Sequence, residues 1–396
     1  MRPLIDVVVI HHPDASNEAT PFCQAIQKAF QFVAPNAEVS QYTEIPDPWQ
    51  RVSVTICKDA NSLSDFLSQS AQSRTLFILF LCDSIATDED FIPLLDIVAE
   101  SMHVPYGSVK DRDALIYTLS ATVIGKLSTK VKRLQAKNTA LLGEDHMAPH
   151  IAALEALHRA RHLLSLDTQL SPLTLFISHA KADGIFLAIA VKAMIESVNG
   201  LKPWYDAQDI LSGQDWDLEL KAAASRCVFI AIRTEAYDQR KFCREEFEIA
   251  LSNGVPILVV DATYSINLPP THLPYASMPT VRVPDGNTNR IVIAAIREHV
   301  RLKLMEAIAK EVDVTTNTSN TMVWPRFPNT SLIMAATDRK QRWLVPQAIS
   351  PLSEFAAMKT FLQSNKSELQ LEFLESFQRS PNRNTVALEQ GIGPSV

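Results

Sequence analysis

Two adjacent carboxylates, Glu245 and Glu246, lie in the run FCREEF at residues 242–247. The apolar residues Phe247 and Ala250 follow at helical spacing, which predicts that both acids stand in the first turn of a helix. The helix dipole by itself favours an acid in that turn by roughly 0.3 to 1 kcal/mol. Position alone therefore makes them ordinary helix-start acids, and a catalytic role needs further support.

The residues on either side predict the elements that position these acids. Residues 227–232 are apolar, β-branched and aromatic, and the run is too short for a helix, so it predicts a buried strand. A second run of this kind ends at Val260. A helix that follows a parallel strand begins at the edge where open α/β sheets bind their ligands. The acids are thus predicted at a ligand-binding edge.

Strands alternating with helices in two stretches predict two parallel α/β units, over residues 1–145 and 171–305. In the first we expect strands at 5–11, 52–57 and 76–81, and helices at 20–33, 62–70 and 115–137. In the second we expect strands at 173–178, 203–206 and 227–232, and helices at 186–197, 216–224, 242–251 and 291–310.

A linker and a C-terminal extension complete the predicted domains. Residues 146–170 predict a solvated linker helix; His158 and His162 share a face, but no acid or cysteine completes a metal-ligand pattern. Residues 306–396 predict a small α+β extension with a strand at 331–336 and helices at 351–363 and 368–377, and the residues from Ser380 are expected to be disordered.

Composition excludes several classes of function. The 396 residues suggest two or three domains, and a net charge of -7 gives no basic face for nucleic acid. The five cysteines are scattered and odd in number, which predicts reduced core thiols. No apolar run reaches the roughly 18 to 20 residues of a membrane span. We expect a cytoplasmic protein without a metal.

Four ordered runs carry a family resemblance: FISHAKAD at 176–183, WYDAQDILSG at 204–213, KAAASRCVFIAI at 221–232 and FCREEF. In this order and spacing they resemble a TIR (Toll/interleukin-1 receptor) domain over roughly residues 173–301. The resemblance implies a flavodoxin-like parallel sheet flanked by helices. Two residues depart from the pattern, Phe242 where the family has Trp, and Gly184 where a charged residue is common.

The resemblance implies an enzyme that cleaves the nicotinamide–ribose bond of NAD, with Glu246 at the position of the catalytic glutamate. NAD is then the substrate, and no cofactor is expected. Nicotinamide leaves as a neutral base from a cationic substrate, so its departure needs no strong acid. The transition state resembles an oxocarbenium ion, which a facing carboxylate stabilises.

The same resemblance implies a set of substrate contacts: Ser178 and His179 toward ribose or phosphates, Trp204 and Phe242 around nicotinamide, Asp206, and the loop residues Ser212 and Gly213. Structural roles stay open for all of them. Trp204 and Phe242 can equally be core aromatics. Asp206 more readily bonds loop backbone, and Ser178 and His179 can satisfy backbone groups at a strand end.

Three runs in the N-terminal unit are similar in sequence to runs around the candidate site of the second unit. SRTLFI at 73–78 repeats SRCVFI at 225–230, FIPLLDIVAESMHVP from Phe91 aligns with FCREEFEIALSNGVP from Phe242, and VIHH at 9–12 aligns with FISH. Such self-similarity predicts a degenerate TIR-like repeat, with convergence of two unrelated α/β units as the alternative. In the repeat, Leu94 and Leu95 take the places of the two glutamates, so this unit is expected to be inactive.

The leading hypothesis is an NAD glycohydrolase that yields linear or cyclic ADP-ribose. We expect a latent defence (antiphage) effector or signal producer that is activated by homo-oligomerisation and regulated through its N- or C-terminal region. A non-catalytic TIR adaptor is the first alternative. A hydrolase or base-exchange enzyme acting on another nucleotide is the second.

Overall fold

The computed structural model describes residues 3–31, 51–69, 74–102, 111–120, 122–142, 146–165, 171–205, 227–263, 278–283, 285–316, 321–323, 342–345, 352–364 and 368–373. The chain forms two compact units, one of residues 1–33 and 48–304 and one of residues 34–47 and 305–396. Among the described residues, no helix has the length and apolar character needed to cross a membrane.

The first part of the larger unit is a parallel sheet of five described strands in the order β2-β1-β3-β4-β5. Its strands are β1 Ile5–His11, β2 Val52–Cys57, β3 Arg74–Leu81, β4 Arg112–Thr118 and β5 Ala136–Asn138. Its helices are α1 Ser16–Phe30, α2 Ala60–Gln69, α3 Phe91–Ser101, α4 Val123–Lys126 and α5 Thr129–Lys132. The central strands are buried on both faces, as their continuous apolar sequence requires.

The second part is another parallel sheet of five described strands, in the order β10-β9-β8-β6-β7. Its strands are β6 Leu173–His179, β7 Leu201–Trp204, β8 Val228–Arg233, β9 Ile257–Asp261 and β10 Thr280–Arg282. Its helices are α7 Ile185–Glu196, α8 Lys241–Ser252 and α9 Thr288–Thr316. The predicted α/β class with parallel, helix-flanked sheets is confirmed.

The two sheets share one topology. When each is numbered from its own first strand, both have the order 2-1-3-4-5, which is the flavodoxin-like arrangement. Ile10 pairs with Leu79 in the first sheet, and Ser178 pairs with Ala231 in the second. If SRTLFI is laid on SRCVFI, Leu79 meets Ala231, and Ile10 rather than His11 then meets Ser178. The alignment of VIHH with FISH is therefore off by one residue, a slip that exchanges the two faces of a strand.

One predicted helix of the N-terminal unit is wrong. Residues 115–137 form the end of β4, the short helices α4 and α5, and the beginning of β5. The run Ala114–Thr118 is apolar and ends in residues that favour strands, and it pairs along its whole length with β3. Sheet pairing at this buried position overrides the helical pattern of the surrounding sequence.

The helix predicted as a solvated linker is instead buried. It forms α6, Ala148–Ser165, which packs on α1 and on strands β1, β3 and β4. Its polar side chains are enclosed as well: Glu155 accepts hydrogen bonds from Tyr117 and Lys137, and Arg161 donates to the carbonyl of Ser171. A helix buried on all sides needs no polar face, so its mixed sequence pattern misled the prediction.

Helix α9 of the second part contacts the end of α1 in the first part. The Arg297 guanidinium donates hydrogen bonds to the carbonyls of Lys28, Ala29 and Gln31 at the end of α1. The last carbonyls of a helix generally lack intrahelical donors, and a cationic side chain there supplies hydrogen bonds and interacts favourably with the helix dipole.

The smaller unit contains a parallel sheet in the order β11-β12-β13, with β11 Thr321–Val323, β12 Arg342–Val345 and β13 Gln370–Phe373, and a helix α10, Leu352–Ser364. Trp343 and Leu371 are buried in it. The helix predicted at 368–377 is wrong for the described residues, because Gln370–Phe373 is a strand paired with β12. The strand predicted at 331–336 lies outside the described residues.

Gly200, just before β7, lies directly against the His158 ring of α6. Its φ is +89°, and an added Cβ would lie 2.6 Å from His158 Nε2. We predict that Gly200→Ala lowers the free energy of unfolding by roughly 2 to 4 kcal/mol, from backbone strain plus overpacking. Gly286→Ala is the matched control, since Gly286 has φ +65° with nothing within 4 Å, and should cost about 1 kcal/mol. The free energies of unfolding are measured by urea denaturation. Equal losses in the two variants would contradict a close contact between Gly200 and His158.

Acid should destabilise the fold through His158. Burial, followed by the charges of Arg161 and Arg159, lowers the His158 pKa from 6.5 to about 3, and burial holds the pKa of His299 well below its ordinary value. Between pH 6.5 and 3 the unfolded chain binds the proton and the folded chain does not. Stability therefore falls with falling pH, by up to about 1.4 kcal/mol per pH unit for His158, and His299 acts in the same direction.

The measurement is urea denaturation at pH 7 and pH 5. His158→Leu cannot take up that proton, so the difference between the two pH values should be smaller in this variant than in the wild type. An unchanged difference would show that His158 takes no part.

Candidate active site

Glu246 lies in the second turn of its helix. Helix α8 begins at Lys241, so the predicted first-turn position of both acids is wrong by one turn. The helix dipole acts within the first turn and does not account for an acid at this depth. Both acids are partly buried, but Glu245 pairs with Lys241 at 3.4 Å, whereas Glu246 accepts a hydrogen bond from Ser178 of β6. Only the second acid turns toward the sheet.

A short hydrogen-bonded chain holds the Glu246 carboxylate at the end of β6. Ser178 Oγ lies 2.5 Å from Glu246 Oε2 and 2.8 Å from the Tyr237 hydroxyl. Ser178 is 1% exposed and Tyr237 is fully buried. Tyr237 comes from the 3-10 turn Tyr237–Gln239, between β8 and α8. Three elements therefore converge on one carboxylate at the carboxyl edge of the sheet.

A second carboxylate fixes the loop that carries Tyr237. Asp183, just before α7, accepts a hydrogen bond from Thr234 Oγ1 at 2.6 Å and another from the Ala236 backbone N–H at 2.9 Å. A buried ion pair joins Arg233 to Asp238 across the same loop at 3.3 Å. The turn is thereby held at both ends, which fixes where the Tyr237 hydroxyl points.

The sequence-predicted aromatics take different positions. Trp204 stacks on Phe176, with centroids 4.4 Å apart and planes 14° apart, and Phe176 stacks on Phe229 at 5.1 Å. Trp204 is thus partly buried at the margin of the core under α8. Phe242 is 59% exposed. One face of Trp204 is used in packing, and the ring of Phe242 is the more accessible of the two.

His179 faces away from Ser178, because successive residues of a strand point to opposite faces of the sheet. Its ring stacks on Tyr205, with centroids 5.1 Å apart, and Lys192 of α7 lies over the same Tyr205 ring. Its carbonyl accepts from the Cys243 thiol at 3.5 Å. The structure therefore brings Ser178 to Glu246, and places the His179 ring on the α7 side of the sheet.

The remaining predicted contacts, Asp206, Ser212 and Gly213, lie outside the described residues. Within the part of the chain that is described, no group of three or more His, Cys, Asp or Glu side chains is arranged to hold a metal ion. The His158 and His162 pair is enclosed within α6.

Sequence reasoning missed two residues of this arrangement, Tyr237 and Asp183. Tyr237 sits in a 3-10 turn, where no periodic pattern marks a buried side chain. Asp183 was visible as the last residue of FISHAKAD, but nothing in the sequence shows that it bonds a loop 51 residues later. An aromatic inside an otherwise polar loop is the one signal that could have pointed to Tyr237.

Comparison with known proteins supports a TIR domain. A family model described as TIR domain matches residues 175–288. No curated protein matches the chain. Among solved structures, the C-terminal domain of glucosamine-fructose-6-phosphate aminotransferase from Francisella tularensis is similar at 10% identity and a TM-score of 0.21, over 78% of this chain and 85% of that one. A TM-score this low carries no argument about fold or function.

Cys243 is adjacent to the site and should be chemically inert. It is 5% exposed, and burial raises the pKa of its thiol to about 12. A thiolate is the reactive form, so we expect no alkylation of Cys243 by iodoacetamide at pH 7.5 in the folded protein and full alkylation after denaturation. Peptide mass spectrometry measures both, and Cys227, whose pKa is also raised to about 12, is the internal control. Rapid labelling of folded Cys243 alone would point to a nucleophile.

Proposed function

On the premise of a TIR domain at residues 175–288, we propose that this protein cleaves the nicotinamide–ribose bond of NAD, with Glu246 as the catalytic carboxylate. The observation that carries the proposal is the position of Glu246: a half-buried acid in the second turn of α8, hydrogen-bonded to Ser178 at the carboxyl edge of a parallel sheet. Helix electrostatics do not explain an acid there, and ligands of open α/β sheets bind along that edge.

The main requirement of this cleavage reaction is a fixed negative charge next to the ribose. Nicotinamide leaves without protonation, while positive charge grows on the ribose ring. An ionised carboxylate facing the ribose stabilises this charge and accepts hydrogen bonds from the ribose hydroxyls. Water that attacks the anomeric carbon yields ADP-ribose, and an attack from within the same molecule yields a cyclic product.

The substrate contacts follow from this placement. Phe242 supplies an exposed aromatic surface for the nicotinamide ring, and Trp204 contributes the face that does not pack on Phe176. We assign Ser178 to holding Glu246 rather than to the ribose or phosphates, because its hydroxyl is buried. Asp206, Ser212 and Gly213 remain proposed contacts, whereas the His179 ring stacks on Tyr205 on the other face of the sheet and is not assigned to the substrate.

The N-terminal unit is proposed to be a non-catalytic repeat. The shared strand order supports this relationship, and with the register given by the pairing of Ile10 the apolar Ile10 and Leu95 stand at the positions of Ser178 and Glu246. Both are buried in one hydrophobic cluster. A site with no carboxylate and no hydroxyl at these positions has no means to stabilise an oxocarbenium ion.

Assembly is part of the proposal, since TIR domains commonly associate with one another. On α7, Phe186 is 85% exposed and Ile189 is 50% exposed, one turn apart on one face. We propose a homo-oligomer that activates the enzyme, with the N-terminal unit or the region after residue 305 receiving the trigger in a defence system. The five free, buried cysteines suit a reducing compartment such as the cytoplasm.

The same exposed pair favours one alternative, a TIR adaptor that binds partners without catalysis. The alternatives are distinguished from NAD cleavage by whether nicotinamide is released and which nucleotide is consumed. An adaptor assembles but releases no nicotinamide, and a hydrolase or base-exchange enzyme on another nucleotide would spare NAD and consume that nucleotide.

The test compares two neighbouring glutamates. Glu246→Gln should lower NAD consumption by about 100-fold or more, because the negative charge facing the ribose is lost. Glu245→Gln is the matched control: its carboxylate is exposed and pairs only at the surface with Lys241 among the contacts described here, so activity should stay within about twofold. NAD loss and nicotinamide release are followed by chromatography across protein concentrations. Equal NAD loss in wild type and Glu246→Gln would sink the proposal.

A further inference from the structure

We propose that Tyr237 is a positioning residue for Glu246 and acts on it through Ser178 by a one-way chain of hydrogen bonds. The proposal rests on the proposed function of Glu246 and adds a residue that neither the family match nor the sequence analysis assigned. It is carried by two distances, 2.8 Å from the Tyr237 hydroxyl to Ser178 Oγ and 2.5 Å from Ser178 Oγ to Glu246 Oε2.

The direction of the chain follows from counting hydrogens. An ionised carboxylate has no hydrogen to give and can only accept. The single Ser178 proton must therefore point at Glu246 Oε2. The contact between Ser178 and Tyr237 then has only one hydrogen left to share, so the Tyr237 hydroxyl donates and Ser178 Oγ accepts. Ionised Glu246 fixes the orientation of both hydroxyl groups.

The chain in turn favours the ionised state of Glu246. Protonation at Oε2 would place two hydrogens between Ser178 and Glu246 unless both hydroxyl groups rotated. Ser178 and Tyr237 are buried, so water does not readily replace a lost partner. Each donor polarises the next, which strengthens the final bond to the carboxylate. Tyr237 thus supports the charged form of Glu246 without touching the substrate.

The surrounding groups are consistent with this role. Asp183 and the Arg233–Asp238 ion pair fix the loop that carries Tyr237, and Cys243, one turn before Glu246 on α8, is held neutral. Holding the turn at both ends keeps the tyrosine hydroxyl within reach of Ser178. The N-terminal unit has no use for such a chain, because Ile10 and Leu95 offer neither hydroxyl nor carboxylate.

The experiment measures the pH profile of NAD cleavage in Tyr237→Phe, which keeps the buried ring and removes only the hydroxyl. We expect kcat/KM at neutral pH to fall by about 3- to 10-fold, the loss that follows one neutral hydrogen bond. We also expect the acid limb of the profile to move to higher pH by about half a unit. Ser178→Ala removes the donor to the charged group itself and should lower kcat/KM by about 10-fold or more.

Tyr117→Phe is the matched control. Tyr117 is also fully buried, and its hydroxyl donates to a carboxylate, Glu155 Oε2, at 2.7 Å in the N-terminal unit. Its loss should lower the thermal midpoint without moving the acid limb. A shift of the acid limb in Tyr237→Phe but not in Tyr117→Phe supports the proposal, whereas coincident profiles for Tyr237→Phe and wild type overturn it.

A second readout is independent of turnover. Carbon-13 NMR of proteins labelled at glutamate side chains follows the titration of the Glu246 carboxyl, assigned by its absence in Glu246→Gln. The titration midpoint should lie higher in Tyr237→Phe than in wild type, and identical midpoints would overturn the proposal. Failure of the proposed function looks different: wild type and Glu246→Gln would then consume NAD equally, whatever the Tyr237 variant does.

Discussion

The hydrogen bond between Ser178 and Glu246 is the contact on which the arrangement of the site depends. It joins the carboxyl end of the buried strand β6 to the second turn of helix α8, at the edge where ligands of parallel sheets bind. Forming it requires β6 in the correct register, α8 in the correct rotation and the loop before α8 held in place. The strand pairing fixes the register of β6, the edge-on contact of Phe247 with Phe229 fixes the rotation of α8, and the Asp183 contacts hold the loop.

The N-terminal unit gives the contrast within one chain. It has the same strand order, and Ile10 and Leu95, which the proposed repeat aligns with Ser178 and Glu246, are buried in its hydrophobic core. An apolar pair contributes burial energy that a polar pair does not. The second sheet instead keeps a serine and an acid at a place where packing alone would favour hydrophobic residues, and such local conflicts between stability and chemistry mark functional sites.

The sequence was sufficient to predict the features that depend on local pattern, namely the central strands and the parallel sheets. Continuous apolar runs located the central strands, and the order of elements predicted parallel sheets. The family resemblance, rather than position alone, made Glu246 the candidate catalytic residue. What failed depends on tertiary context. Helix α6 is buried against α1 and the first sheet although its sequence suits a solvated helix, and residues 115–118 pair with β3 instead of forming a helix. The Tyr237 contact lies across 59 residues, so no local signal could reveal it.

The central claim is that a fixed carboxylate stabilises positive charge on the ribose of NAD. The most direct measurement is the secondary isotope effect on nicotinamide release by the wild-type protein, with two forms of NAD in competition that carry hydrogen or deuterium at the anomeric carbon of the nicotinamide ribose. An oxocarbenium-like transition state loosens the bending of that C–H bond. We therefore expect NAD with hydrogen at this carbon to react faster than NAD with deuterium. Equal rates for the two substrates, or no release of nicotinamide at any protein concentration, would contradict it.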